Sequence, residues 1–428
     1  MCSENNGTSS QKSRLTFASG ASVKNLCAGL ALSAAVFAWL LSFSVGVVAQ
    51  TFSGSSVDWP QVHFSAPHSG FNPFETTLSP KTVPGLKKAW TLTTGGPING
   101  GIAESDGLLY FGTQLDDKAY AVNASTGAVR WVFPTAGYVF TSPAVLGGVV
   151  YLSSAGNRFA DIYALNAKTG KLIWTYHVAS VPGYMTDPVV DGGVVYVDVE
   201  TFTVDEIFAF DALTGTVRWT VDLPSLSGKP PAAAGGFVYF GACDDGSVYA
   251  LKASDGSIKW TASVGKSVGG LSVSGTMVYV SGADGTSNTL YALNAKTGSK
   301  VWSFPVVNRR TVGFSDPALA NGKLFVAGGE GNGIAVYALN GTTGSLLWTT
   351  ALVCCNVNSA AVANGVVYLT SNDQVIAFDA GSGKQLWHSS HALSPFIASP
   401  TVVNGMVFAG SSDSNVYAFH LRSSAGVQ

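Results

Sequence analysis

Charged residues are scarce in this sequence. They make up 11% of its 428 residues, against about 25% in ordinary globular proteins, and the formal net charge is −2. Disordered tails and coiled coils depend on abundant charge, so both classes are excluded. A nearly neutral chain also lacks a broad basic field for phosphate groups, and we therefore expect no binding of nucleic acid.

Cysteine and the common cofactor motifs are also scarce. Five cysteines in a chain of this length are too few for a disulfide scaffold, so the core must hold itself together. The six histidines have no metal-ligand spacing, and the sequence contains no CxxCH haem motif and no phosphate-binding glycine loop. Haem electron transfer and nucleotide chemistry have no support in the sequence.

The N-terminal region is apolar and uncharged over a long stretch. No charged residue occurs between Lys24 and Asp58, and Leu26–Ala49 is long enough to span a bilayer. The basic segment before it and the small residues Val47-Val48-Ala49 at its end are typical of a cleaved signal peptide, whereas its length is also typical of a retained anchor. Either alternative predicts an exported protein, periplasmic or extracellular, with 1–49 as signal or anchor.

Glycine and aromatic residues are abundant, and tryptophan recurs with a period. Glycine makes up 50 residues, and there are 10 Trp, 15 Tyr and 23 Phe. Successive repeat tryptophans are 39 to 46 residues apart, which is the period of four-stranded propeller blades. We interpret these residues as contacts between blades: Trp90, Trp131, Trp174, Trp219, Trp260, Trp302, Trp348 and Trp387.

The repeated unit has the pattern of four short strands. In the unit that ends at Trp174, SPAV, VVYLSS, IYALNA and KLIW are separated by Gly147-Gly148, a polar loop and a turn at Gly170. The last set, which begins at Ser399-Pro400, lacks a tryptophan strand, and a spare one lies around Trp90. We therefore predict an all-β, eight-bladed propeller of four-stranded antiparallel blades over 86–421, closed by the Trp90 strand. Residues 50–85 are predicted to form a leader strap, and 422–428 a tail.

The phrase YALNAKTGKLIW and its repeats resemble the tryptophan repeat of the pyrroloquinoline quinone (PQQ) propeller family. The resemblance covers about residues 90–421. That family includes quinoprotein dehydrogenases and non-catalytic relatives, among them a propeller lipoprotein of outer-membrane protein assembly. The resemblance therefore implies the fold and leaves the activity open.

One local phrase, ALVCCNVNSAAV, is similar to a VCC…VN phrase of quinoprotein alcohol dehydrogenases. By that resemblance Cys354-Cys355 would form a ring over the quinone, with Asn358 beside it. Ser359 stands where the family has Arg, and this departure weakens the implication. Two buried thiols or a loop-stiffening disulfide are the alternatives.

Other candidate residues fall in loops on one predicted face, where the longer connections open. Glu330 and Asn332 are candidate ligands for a calcium ion that polarises a quinone, although most acids in these loops fit ordinary turns. Two inner strands begin Asp-Pro; Asp187 and Asp316 there are candidate bases for alcohol oxidation, or else caps of backbone N–H groups. The adjacent residues Arg309-Arg310 are candidates for binding a carboxylate, a quinone or a partner protein.

Two functions follow from these patterns. The first is an exported scaffold, expected to be a monomer, that binds an envelope protein or a glycan without chemistry. The second is a dehydrogenase of alcohols or sugars that depends on PQQ and calcium. The short loops and the missing arginine favour the scaffold, whereas Cys354-Cys355 favours the enzyme.

Overall fold

The computed structural model describes residues 58–156, 158–179, 184–200, 205–223, 228–243, 245–283, 287–307, 314–330, 333–352 and 357–421. Alternating apolar residues and glycine-containing turns make this part of the chain a succession of β-strands joined by turns and loops. A short 3₁₀ turn occupies Val83–Gly85. Among the described residues, no helix has the length and apolar character needed to cross a bilayer.

Eight antiparallel sheets form the ring, and each is numbered as a blade in chain order. The strands of blades 1 to 4, from the central axis outward, are Ala103–Ser105, Leu108–Thr113, Lys118–Asn123 and Val129–Pro134; Ala144–Leu146, Val149–Gly156, Phe159–Asn166 and Leu172–Ala179; Val189–Asp191, Val194–Glu200, Asp205–Asp211 and Val217–Leu223; and Ala232–Ala234, Phe237–Gly241, Ser247–Lys252 and Ile258–Ser263. Blade 3 carries an additional short strand, Tyr184–Met185.

The strands of blades 5 to 8 are Ser267–Ser274, Met277–Ala283, Ser287–Asn294 and Lys300–Val307; Ala318–Ala320, Lys323–Glu330, Gly333–Asn340 and Leu346–Leu352; Ala361–Ala363, Val366–Ser371, Gln374–Asp379 and Gln385–His388; and Thr401–Val403, Met406–Gly410, Asn415–Leu421 and Leu86–Thr93. The last of these comes from the N-terminal side, with Trp90 opposite Ala418. The predicted eight blades and the closure of the ring by the Trp90 strand are confirmed.

The repeat tryptophans link each blade to the next. Every indole N–H donates to a backbone carbonyl of the following blade at 2.7 to 3.2 Å: Trp90 to Ala124, Trp131 to Ala167, Trp174 to Ala212, Trp219 to Ala253, Trp260 to Ala295, Trp302 to Gly341, Trp348 to Ala380 and Trp387 to Leu86. Gly127, a turn glycine with φ of +74°, packs against the indole of Trp90, and a Cβ added to it would come within 2.9 Å of that indole. The positive φ and the close indole both require glycine there.

The leader, Asp58–Asn72, lies inside the ring. It contacts the penultimate residue of all eight inner strands in blade order, through these pairs: Trp59–Glu104, Pro60–Val145, Gln61–Val190, Ala66–Ala233, Pro67–Val273, Ser69–Leu319, Gly70–Val362 and Asn72–Val402. Phe71–Asn72 also pairs in parallel with the inner strand of blade 7. The leader thus satisfies the free inner edge of the blades and fills the central channel.

The ring has two distinct ends. The turns between first and second strands and between third and outer strands lie at one end, which we call the turn face; Gly147–Gly148 and Lys168–Gly170 are examples. The remaining connections, which precede the inner strands or join second and third strands, lie at the other end. We call that end the cavity face, for the site described next.

Candidate functional site

A cavity of about 600 Å³ opens at the centre of the cavity face. Most of its lining residues lie just before the inner strands of the blades, so they come from around the ring. Leader residues Trp59, Val62 and His63 complete the lining. Because the leader fills the channel beneath, it forms the floor, and the space is a closed-bottomed pocket open at one end.

Hydrogen bonds between neighbouring blades fix the polar residues of this wall. Three of these bonds follow one pattern, in which the residue two positions before an inner strand donates its backbone N–H to the side chain of the equivalent residue in the next blade. Gly101 N–H donates to Ser142 Oγ at 2.8 Å, and Ser142 N–H donates to Asp187 Oδ1 at 2.8 Å. Asp316 N–H donates to Ser359 Oγ at 3.0 Å. The wall is therefore ordered before any ligand arrives.

Asp316 lies at the electrostatic centre of the pocket. Its Oδ2 is 3.5 Å from Nε2 of His63. Burial by itself would raise the pKa of Asp316, but the charge of Lys229, the two leader histidines and the hydrogen bond with Ser359 outweigh it and hold that pKa below its usual value. Asp316 is therefore ionised at neutral pH, and a carboxylate stabilised in this way is a weak base.

The backbone leaves space for this carboxylate. A Cβ added to Gly270, at the equivalent position of the preceding blade, would lie 1.5 Å from Asp316 Oδ1. No side chain fits there unless Asp316 moves. A glycine in blade 5 and an aspartate in blade 6 thus form one feature of the wall.

Asp187 has a different environment. Burial raises its pKa to about 6, against the hydrogen bond from Ser142 N–H, which lowers it. The sequence offered Asp187 either as a catalytic base or as a cap of a backbone N–H. Asp187 lines the cavity, as a base would, and it also accepts the Ser142 N–H, as a cap would. Its role as a base stays a prediction.

Two leader histidines support the floor. Burial lowers the pKa of His63, and it lowers that of His68 to about 3. The two rings meet edge to face with centroids 5.5 Å apart. Both imidazoles are therefore neutral at physiological pH, and they become cations beside Asp316 only at lower pH.

Exposed apolar side chains surround the mouth. Tyr138, Phe140 and Tyr184 form an aromatic row with centroid separations of 5.8 and 6.1 Å. Tyr184 is 61% exposed, and on the other side of the mouth Leu393 is 89% exposed beside Ile397. Phe140 and Ile397 also line the cavity, so the apolar rim and the acidic pocket form one continuous surface.

Several predicted site residues lie outside the described part of the chain. These are Cys354, Cys355, Arg309, Arg310 and Asn332, together with the side chain of Glu330 and segments 1–57 and 422–428. Asn358 is described, and its side chain donates to Thr370 Oγ1 at 2.8 Å and to the Phe396 carbonyl at 3.1 Å. It thereby ties blade 7 to the segment that enters blade 8, and it also lines the cavity.

The acids of the loops between second and third strands are engaged locally. Asp245 accepts a hydrogen bond from the hydroxyl of Tyr249 at 2.8 Å, and Asp413 accepts one from Tyr417 at 2.6 Å. Asp116 and Tyr120 make the same contact at 2.9 Å. These carboxylates hold their own hairpins, in agreement with the turn interpretation.

Sequence reasoning missed His63 and Lys229. Neither residue lies in a motif: His63 is in the leader, and Lys229 precedes the double proline that opens blade 4. Lys229 could have been found from its position in the repeat, because it stands just before an inner strand, as Asp187 and Asp316 do. That position predicts a place in the central cavity only once the ring is known to close.

The described residues do not fit calcium and PQQ together. No group of three or more His, Cys, Asp or Glu among them is arranged to hold a metal ion, whereas calcium takes six to eight oxygen ligands. PQQ is a tricarboxylate and needs cationic partners, whereas the described lining contains one lysine, Lys229, and two acids, Asp187 and Asp316. We derive no chemical step through either group.

Comparison with known proteins gives the relationships of the chain. The sequence profile described as outer membrane protein assembly factor BamB, of the PQQ-like repeat type, matches residues 85–200, 203–354 and 286–426. Tetrathionate hydrolase of Acidithiobacillus ferrooxidans is 27% identical over 71% of this chain, and BamB of Yersinia pestis is 25% identical over 74%. The chain spans 55% and 59% of the length of these relatives.

A solved structure shows the same fold. The quinohemoprotein alcohol dehydrogenase ADHIIG of Pseudomonas putida superposes with a TM-score of 0.71 at 15% identity, over 87% of this chain and 81% of the other. At that identity the likeness establishes the propeller alone, whereas the profile matches extend over most of the sequence. The chain therefore belongs to the PQQ-like propeller family described by outer membrane protein assembly factor BamB.

Proposed function

We propose that the protein is an exported binding scaffold of the cell envelope, and that its cavity face docks a partner protein. The observation that carries the proposal is the continuity of an acidic, pre-ordered pocket with a rim of exposed aromatic and aliphatic side chains. Export is supported by the apolar stretch Leu26–Ala49. The relation to an outer membrane assembly factor supports an envelope partner.

The pocket favours a cationic or hydrogen-bond-donating group of the partner. Asp316 stays ionised because the charge of Lys229 and the hydrogen bond with Ser359 outweigh the cost of its burial. Since the wall is already held by bonds between blades, a Lys, Arg or amide group that enters gains hydrogen bonds without reordering the pocket. The partner would therefore insert one such side chain at the centre.

The rim supplies the apolar contacts that stable interfaces need. Tyrosine and leucine side chains that are exposed in the free protein lose water on docking and become anchors. Tyr138 and Tyr184 stand on blades 2 and 3, and Leu393 stands between blades 7 and 8. A partner that covers all three must span the mouth, which also buries the central pocket.

The dehydrogenase alternative is weaker on the described residues. Its proposed bases are Asp316, whose pKa is lowered, and Asp187, whose carboxylate already caps a backbone N–H. The quinone and calcium would have to be held largely by residues other than those described.

The test places a photo-cross-linking amino acid at Tyr184 and, as a control, at Val132, an exposed outer-strand residue of blade 1. In living cells we expect one discrete cross-linked protein from position 184 and none from position 132. Tyr184→Ala and Asp316→Asn should each weaken binding of that purified protein about tenfold or more, and Val132→Ala should not.

Two outcomes would overturn the proposal. One is equal cross-linking from both positions, which would show no docking at the cavity face. The other is uptake of PQQ with calcium, seen as a quinone absorbance and alcohol-dependent reduction of an artificial acceptor, which would show the enzyme instead.

A further inference from the structure

The turn face carries a concentration of positive charge. Twelve exposed Lys and Arg side chains lie on it in the described part of the chain: Lys81, Lys87, Lys88, Arg130, Lys168, Lys171, Arg218, Lys252, Lys259, Lys296, Lys300 and Lys384. The exposed acids there are Asp106, Asp191 and Asp255. Asp211 and Asp379 are half-buried turn residues, and Asp211 is paired with Arg218 at 2.7 Å. The turn face is therefore strongly basic, although the whole chain is nearly neutral.

The cavity face has the opposite sign. Within the described residues, and whatever their burial, it carries twelve acids, namely Asp116, Asp117, Asp161, Asp187, Asp198, Glu200, Glu206, Asp222, Asp245, Asp316, Asp373 and Asp413, against four bases, Lys118, Arg158, Lys229 and Lys266. Counted in the same way, with buried and half-buried side chains included, the turn face carries thirteen bases and eight acids. The two ends of the ring thus form an electric dipole along its axis. Such a molecule turns its basic end toward any extended negative surface.

Exposed apolar residues accompany the bases. Leu213 is 75% exposed at the tip of a turn in blade 3, and Ile258 is 51% exposed beside Lys259. Leu172 and Ile173 follow Lys171 in the same way. Basic and apolar side chains together suit the interface of an anionic bilayer, where the first meet lipid head groups and the second enter the acyl boundary. A soluble polyanion would use the charges alone.

The described chain also begins at this face. The Asp58 carboxylate accepts a hydrogen bond from the Ser105 hydroxyl, at 2.7 Å, next to the first turn of blade 1. In the sequence, only residues 50–57 separate Asp58 from the apolar stretch Leu26–Ala49. The first described residue of the chain therefore lies at the basic end of the ring.

We propose that the turn face docks on the surface of an anionic phospholipid bilayer, so that the cavity opens away from the membrane. This proposal concerns a surface on the opposite side of the ring from the partner site and does not depend on that site. Since basic residues near such a surface each contribute several-fold in binding, reversing the charge of two should weaken it at least tenfold.

The experiment measures co-sedimentation of the chain from Gln50 onward, which keeps every described strand, with vesicles of phosphatidylglycerol and phosphatidylcholine. The test variant is Lys168→Glu with Lys296→Glu on the turn face. The matched control, Arg158→Glu with Lys266→Glu, makes the same change in net charge on the cavity face. Thermal melting of all proteins checks that the ring stays intact.

We expect binding to mixed vesicles, little binding to pure phosphatidylcholine, a loss of tenfold or more in the turn-face variant and a small change in the control. Leu213→Ser should weaken binding to vesicles and leave any binding to inorganic polyphosphate unchanged. Equal losses in the two double variants, or no binding to mixed vesicles, would overturn the proposal. Binding to polyphosphate as tight as to vesicles, with no effect of Leu213→Ser, would assign the face to a soluble polyanion and overturn it too.

Discussion

Replacing Glu104 by Gln should remove a pH-dependent loss of stability. Glu104 lies in the inner strand of blade 1, where its backbone pairs with leader residue Trp59. Its side chain is fully buried, Oε1 accepts the Gly107 N–H at 2.9 Å, and Oε2 has no hydrogen-bond partner. Burial, and then the nearby charge of Asp58, raise the pKa of Glu104 to about 8.

The direction of the effect follows from proton binding. Between the unfolded pKa of about 4.5 and the folded pKa of about 8, the folded protein holds a proton that the unfolded chain releases, so stability falls as pH rises. At about 1.4 kcal/mol per pH unit the full loss is about 5 kcal/mol. About 2 kcal/mol of it falls between pH 6.5 and 9, above the pKa of Asp187 and the buried histidines.

Glutamine keeps the acceptor for Gly107 and carries no charge at any pH. Thermal melting of parent and Glu104→Gln proteins from pH 6.5 to 9 is the assay. With an unfolding entropy of about 2.1 cal/mol/K per residue over about 360 residues, 2 kcal/mol corresponds to about 3 °C. The parent Tm should fall by that amount more than the variant Tm.

Asp255→Asn is the control, because Asp255 is an exposed turn residue whose pKa is lowered by its bond to Ser257 and which stays ionised throughout this range. Its melting profile should follow that of the parent. Parallel profiles for parent and Glu104→Gln would refute the reasoning, since they would show that Glu104 is already ionised in the folded protein or is hydrated.

Three further changes test the ring and its site. Trp260→Ala removes a large ring and its bond to the Ala295 carbonyl at 3.0 Å, and should cost about 3 to 5 kcal/mol; a change below 1 kcal/mol in denaturant titration would contradict its role between blades. Gly270→Ala should displace Asp316 and weaken partner binding, and an unchanged affinity would show that the carboxylate takes no part. The proposed export to an oxidising compartment predicts a disulfide between Cys354 and Cys355, so mass analysis after alkylation should find two protected thiols without reductant, and two alkylated thiols would disprove it.

The fold was predictable because its information is local and repeated. Each blade needs alternating strands, a glycine turn and one tryptophan, and these lie within about 42 residues, so the period was visible directly in the sequence. The closure by the Trp90 strand also followed from counting, because eight strand sets required one more outer strand. Hydrophobic alternation and turn chemistry do not depend on distant residues.

The site was predictable only in part. Asp187 and Asp316 stood out because Asp-Pro departs from Ser-Pro at the start of inner strands, but the sequence does not show that His63 of the leader and Lys229 of blade 4 face Asp316. Those residues are separated by up to 253 positions, and only the closed ring brings them to one axis. The same ring determines that Gly270 makes room for the carboxylate.

The sequence by itself therefore determined the blades, their number and their joining, because strand pattern, turn and tryptophan are properties of short segments. The tertiary structure decided the path of the leader through all eight inner strands, the assembly of the pocket, and the separation of basic and acidic residues to opposite ends of the ring. Those features depend on which side chains meet across the axis and which point out of each face. That arrangement exists only after the blades have packed.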